Sequence, residues 1–98
     1  MTEPTARTPP VPYQFTLFVI GATPRSMRAL ANVQRFCANE LGGKYVLEVV
    51  DLYVHPERAQ ADQIVAVPTL VRHLPRPLRY AIGDLSDTRA LRATIGAA

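Results

Sequence analysis

Gln14-Phe15-Thr16-Leu17-Phe18-Val19-Ile20, followed by Gly21-Ala22-Thr23-Pro24-Arg25, reads as a strand running into a helix. The first seven residues are short, aromatic and β-branched, which suits a strand buried on both faces. Gly21-Ala22 turns the chain. Thr23 has the side chain of an N-cap, and Pro24 fits the first helical position because its missing N–H is not needed there. The helix is expected over 24–41, with Met27, Leu30, Val33, Cys37 and Leu41 as its core-facing set. At about 100° per residue these five fall within roughly 120° of arc, the stripe of a helix packed on a core. Gln34 intrudes on that arc, while Arg25, Arg28 and Arg35 gather on the opposite side. Gly42-Gly43 supplies the stop.

Beyond that unit, Tyr45 to Leu52 reads as a second strand. The first helix is long enough to cross over between parallel neighbours, giving a right-handed βαβ unit. A short helix is expected from Pro56 to Asp62 and an extended segment from Thr69 to His73. Leu78 to Ile82 is a further strand, Gly83-Asp84 a turn, and Asp87 to Ile95 a final helix capped by Ser86. The resulting order, β-α-β-α-β-β-α, is an α/β single domain with the thioredoxin layout. Residues 1–12 hold Pro4, Pro9, Pro10 and Pro12 and few large apolar groups, so they read as a flexible tail ahead of a domain over 13–98.

The chain has 98 residues, enough for one domain and too few for two. Its single cysteine, Cys37, rules out an intramolecular disulfide and any CxxC chemistry, and suits a reducing cytoplasm. No apolar run reaches the length of a membrane span, and the N-terminus lacks a signal-peptide layout. Cytoplasmic is therefore the expected location, with no membrane partner. The net charge is +3, and Lys44 is the only lysine among the basic residues. Arginine's planar fork suits docking onto an acidic surface, although a GC-rich genome would produce the same bias.

In a thioredoxin layout, reactive cysteines sit where the first strand meets the first helix, since the helix N-terminus stabilises a thiolate. Here that place reads Gly21-Ala22-Thr23-Pro24, and Cys37 falls late on the helix's core-facing side. Thiol redox chemistry is thus not expected. His55 and His73 share no metal-ligand spacing, and Asp51 has no companion base or nucleophile. An anion held at the helix N-terminus with Arg25 is a weak signal without a multi-glycine cradle. The sequence calls for no cofactor, no metal and no catalytic residue. A basic patch of Arg25, Arg28, Arg35, Arg72, Arg76 and Arg79 would be the footprint of a nucleic-acid binder, but no nucleic-acid-binding motif accompanies it.

Four segments carry a more specific likeness. Gly21 to Ala29 resembles the G-x-T-P-x-S-x-R-A motif of the KaiB family, and Tyr45 to Leu52 with Pro56 resembles its Y-x-L-x-V-I-D-L-x-x-x-P stretch. Ile64 to Leu70 resembles I-L-A-x-P-T-L. Leu74 to Arg79 with Ile82 to Asp87 resembles L-P-x-P-x-R-x-I-I-G-D-L-S-D. The register is continuous from about residue 15 to 89. The resemblance implies a thioredoxin-like protein that docks onto the ATPase ring of KaiC, with a KaiA-like protein or a sensor kinase as further partners. It also implies self-association as a dimer or tetramer and a second packing of the C-terminal half. Partner contacts are expected from Arg25, Arg28, Arg35 and Lys44. Thr23, Pro24, Pro68, Pro75, Pro77, Gly83 and Asp84 are expected to shape the fold or its change. Pro68 before Thr69 resembles the cis-proline of thioredoxin folds. The ending Thr94-Ile95-Gly96-Ala97-Ala98 departs from the longer I-G-L-D-L end of clock members, and Gln63 stands where the family often has Lys. A divergent or non-clock member is expected on those grounds.

Overall fold

A computed structural model describes residues 12–96. The tail expected over 1–12 lies outside them except for Pro12, as do Ala97 and Ala98. Seven elements follow in order: β1 (Tyr13–Val19), α1 (Pro24–Glu40), β2 (Tyr45–Asp51), α2 (Glu57–Ala61), β3 (Thr69–Leu74), β4 (Arg79–Ile82) and α3 (Thr88–Ile95). They build one four-stranded sheet in the order β2-β1-β3-β4. β1 pairs parallel with β2 and antiparallel with β3, and β3 pairs antiparallel with β4. β1 is central, which explains its unbroken apolar run, and β2 and β4 are the two edges.

Alternation along β1 divides the core. Phe15, Leu17 and Val19 face α1 and α3 in the larger cluster, with Leu70, Ala81, Leu85, Leu91 and Ile95. Phe18 faces the opposite side with Val50, Leu52 and Val71, covered by Ala59, Ile64 and Val67 around α2. Full burial of a leucine or phenylalanine stabilises by about 1.5–3 kcal/mol, so the larger cluster carries most of the fold.

Two expectations on the helices need correction. Of the expected core-facing set of α1, Val33, Cys37 and Leu41 are buried and Leu30 packs against the core, but Met27 is 50% exposed, and Ser26, Ala29 and Phe36 are buried as well. The core arc is thus rotated roughly 60° from the expected one at 100° per residue. The cause is α3, which packs beside α1 on the same sheet face. α1 turns Phe36 toward Leu85 and Leu91 and leaves Met27 at the β2 side. On this arc Gln34 is simply exposed. At α3 the cap is Asp87 rather than Ser86, its carboxylate accepting from the Ala90 N–H at 3.0 Å. The stop after α1 is as read: Gly42 and Gly43 take φ of 59° and 80°, the left-handed region that glycine enters without a Cβ penalty. The Val67-Pro68, Leu74-Pro75 and Arg76-Pro77 peptide bonds are all cis.

Candidate partner-docking surface

The β1–α1 junction is a fixed turn. Thr23 Oγ1 accepts from the Ser26 N–H at 3.3 Å, and Ser26 Oγ in turn accepts from the Ile20 N–H at 3.2 Å. Asp51, at the end of β2, accepts from the N–H groups of Gly21 and Tyr53, both at 2.9 Å. These two bonds, Gly21's the larger, hold its carboxyl below the usual aspartate range. Asp51 therefore ties the α1 entry to the β2 edge as a structural clasp.

Four of the expected residues come together at one corner. Arg28 Nε lies 3.7 Å from Asp84 Oδ2, and Asn32 Nδ2 donates to the Asp84 carbonyl at 2.8 Å. Arg25 reaches across to Gly83, its Nη2 standing 3.6 Å from where a Cβ on that glycine would be. Ser86, through its hydroxyl and its N–H, is the main cause of a lowered Asp84 pKa, with Arg28 and Arg25 adding to it. Gly83 donates its N–H to the Pro68 carbonyl at 3.0 Å, which brings buried Pro68 under the same corner. Arg35 lies farther along α1 and donates to Asn32 Oδ1 at 2.9 Å. Lys44 does not join this group. It follows α1's C-terminal end, and a 17-residue helix is about 25 Å long. Pro75 and Pro77 lie on the β3–β4 connection, at the other end of the sheet from α1's N-terminus.

Sequence reading missed the apolar half of this surface. A depression of about 320 Å³ lies between the first turns of α1 and β2, lined by Met27, Leu30, Val49 and Ala22 among others. Met27 and Val49 in its lining are 50% and 46% exposed. Met27 resembles a core residue by type and spacing, and only the rotation of α1 shows that it serves the surface, while Leu30 lines the depression and also packs against the larger core cluster.

The other chemical readings resolve by position. Cys37 is fully buried, and burial pushes its thiol up to about 11. A thiolate is the reactive form, so this sulfur is inert in the folded chain near neutral pH. His73 Nε2 lies 2.8 Å from Thr16 Oγ1, and His55 Nδ1 lies 3.6 Å from Glu57. Among the described residues no group of His, Cys, Asp and Glu could hold a metal ion, and no helix is long and apolar enough to cross a membrane. The expected basic patch is not a single surface. Arg72 is buried, 6% exposed, with its guanidinium donating to the carbonyls of Ile95 and Pro77. Arg76 and Arg79 sit at the opposite end of the sheet from Arg25 and Arg28. Arg72 points inward because it shares a sheet face with Leu70, where α3 ends in need of a donor for its last carbonyls.

Comparison with known proteins gives the family and the fold. The KaiB domain pattern matches residues 16–96. The circadian clock oscillator protein KaiB of Prochlorococcus marinus (strain MIT 9313) is 49% identical over 75 residues, covering 76% of this chain and 63% of that protein. The circadian clock protein KaiB3 of Synechocystis sp. (strain ATCC 27184 / PCC 6803 / Kazusa) is 42% identical over 72 residues, covering 74% and 71%. Among solved structures, the N-terminal domain of Synechococcus elongatus SasA superposes with a TM-score of 0.69 at 25% identity, over 87% of this chain and 82% of that one. Mitochondrial thioredoxin 3 of Saccharomyces cerevisiae gives 0.67 at 16%, over 86% and 76%. The fold is thioredoxin-like, and the chain belongs to the KaiB family.

Proposed function

We propose that the chain is a non-enzymatic regulatory protein that docks onto a KaiC-type ATPase, in a circadian clock, a simpler timer or a stress-response system. One observation carries this reading. Exposed Arg25 and Arg28 flank one side of α1's first turns, toward Gly83 and Asp84, while an apolar depression against the β2 edge, unpaired among the described residues, flanks the other. An exposed edge offers backbone groups for pairing, the depression offers burial, and the arginines offer charge-assisted bonds to carboxylates. The described residues already adopt the thioredoxin-like packing, which the family resemblance makes the ATPase-binding form, so docking needs no prior rearrangement. A KaiA-like protein or a sensor kinase is a further expected partner. Self-association as a dimer or tetramer is a separate expectation, read from the mass in solution.

The test is co-elution of the chain with its cognate KaiC-type ATPase on size exclusion, with ADP and with ATP. A complex under at least one nucleotide is expected. Free elution under both would refute the proposal.

A further inference from the structure

The opposite edge of the sheet carries a second surface, on the other side of α1 from the β2 depression, with Arg25, Gly83 and Asp84 lining its near end. Among the described residues β4 pairs only with β3, which leaves its outer side open. Gly83 N–H donates to the Pro68 carbonyl, and Ala81 stands opposite Leu70. Because antiparallel pairs alternate, the N–H and C=O of Tyr80 and Ile82 point away from β3, toward the open side. α3 returns alongside β4, and a groove of about 500 Å³ lies between them, lined by Ala81, Ala90, Leu91 and Thr94 among others. Small side chains on α3 keep it open, and Ala81 and Leu91 give it an apolar floor.

The charge around this groove is unbalanced. Arg25 in its lining, and Arg76 and Arg79 beyond it at the start of β4, are exposed and form no ion pair among the described residues. The carboxylates at the other end are already engaged: Asp84 by Ser86 and Arg28, Asp87 by the Ala90 N–H. The unspent charge is therefore positive, with Arg25 at the Gly83 end of the groove and Arg76 and Arg79 at the start of β4. We propose that β4 and this groove bind an extended, acidic and apolar segment of a partner protein by strand addition. Two residues of the segment would pair with Tyr80 and Ile82, an apolar side chain would enter over Ala81, and a carboxylate would meet Arg76 and Arg79. Main-chain pairing with a side-chain pocket and a charge anchor is the usual division of labour in strand-addition sites.

The test uses the full chain labelled with nitrogen-15 and a blocked hexapeptide alternating valine and glutamate, with a valine–lysine hexapeptide as control. The expected result is saturable shifts of the Tyr80 and Ile82 amides with the glutamate peptide alone. A double Arg76→Glu, Arg79→Glu variant should bind at least about tenfold more weakly, a difference of about 1.4 kcal/mol. Ala90→Arg, on the exposed side of α3, should abolish binding by filling the groove while leaving the rest of the spectrum in place. Equal binding of the lysine peptide would overturn the proposal, as would shifts confined to Val46–Val50 or no shifts at all. Concentration-dependent shifts at Tyr80 and Ile82 without peptide would overturn it in favour of a second copy of this chain.

Discussion

Truncating two α1 residues, Phe36 and Met27, separates the helix face that holds the fold from the face that meets a partner. Phe36 is 5% exposed within the larger core cluster, so Phe36→Ala removes a ring and leaves a cavity between the sheet, α1 and α3. Such changes cost about 3–5 kcal/mol, against a total stability of about 5–15 kcal/mol. Met27 is 50% exposed. Full burial of methionine is worth about 1.5–3 kcal/mol, so the half already buried accounts for about 0.8–1.5 kcal/mol as an upper bound. Docking would bury the other half, again about 0.8–1.5 kcal/mol, which corresponds to about a four- to twelvefold change in Kd. Urea unfolding followed by circular dichroism reads the first quantity, and titration against the KaiC-type ATPase reads the second. Phe36→Ala should lower the unfolding midpoint severalfold more than Met27→Ala, and Met27→Ala should weaken binding with the fold intact. Equal losses of stability in the two variants would refute the placement of α1. Unchanged affinity in Met27→Ala would refute the depression as part of the interface.

Three further outcomes are expected. Asp51 has its folded pKa depressed below the ordinary 3.8, so its clasp is fully formed above that value and is lost as pH falls through the lower folded pKa; the Gly21 amide shift, followed by NMR in acid, should titrate below 3.8, and a midpoint at or above it would contradict the two hydrogen bonds. Cys37 should resist a thiol reagent in the folded chain at neutral pH and react promptly once denatured; rapid native labelling would contradict its burial. Arg72→Ala leaves the buried Ile95 carbonyl without its donor, which costs about 1–3 kcal/mol; hydrogen exchange should quicken in α3 more than for Arg79→Ala, and equal effects would contradict the inward placement of Arg72.

The elements were legible where the signals were local. Thr23-Pro24 set the start of α1 and Gly42-Gly43 its end, and the apolar run of β1 marked the central strand. What escaped was set by non-local packing. α1 has apolar residues over a wide arc, Met27 and Leu30 on one side and Ala29 and Phe36 on the other. Which part turns inward depends on α3, some fifty residues later in the chain, and periodicity within one helix holds no record of that neighbour. Arg72 reads as a surface charge because arginine is rarely buried, and only the meeting of β3 with the end of α3 provides the carbonyls that satisfy it. At the docking corner the arginines and Asp84 were visible as residue types. Their meeting was not, since Arg28 and Asp84 are joined by the tertiary fold alone. Lys44, grouped with the arginines by charge, stands at α1's other end for the same reason.

The most direct measurement is hydrogen exchange, read by mass spectrometry, on the full chain with and without its KaiC-type ATPase in the nucleotide state that supports a complex. Added protection is predicted over residues 20–32 and 46–51, and over 83–86, with α2 unchanged. Binding that leaves those segments unprotected, or that protects α2 instead, would contradict a partner surface at the α1–β2 corner.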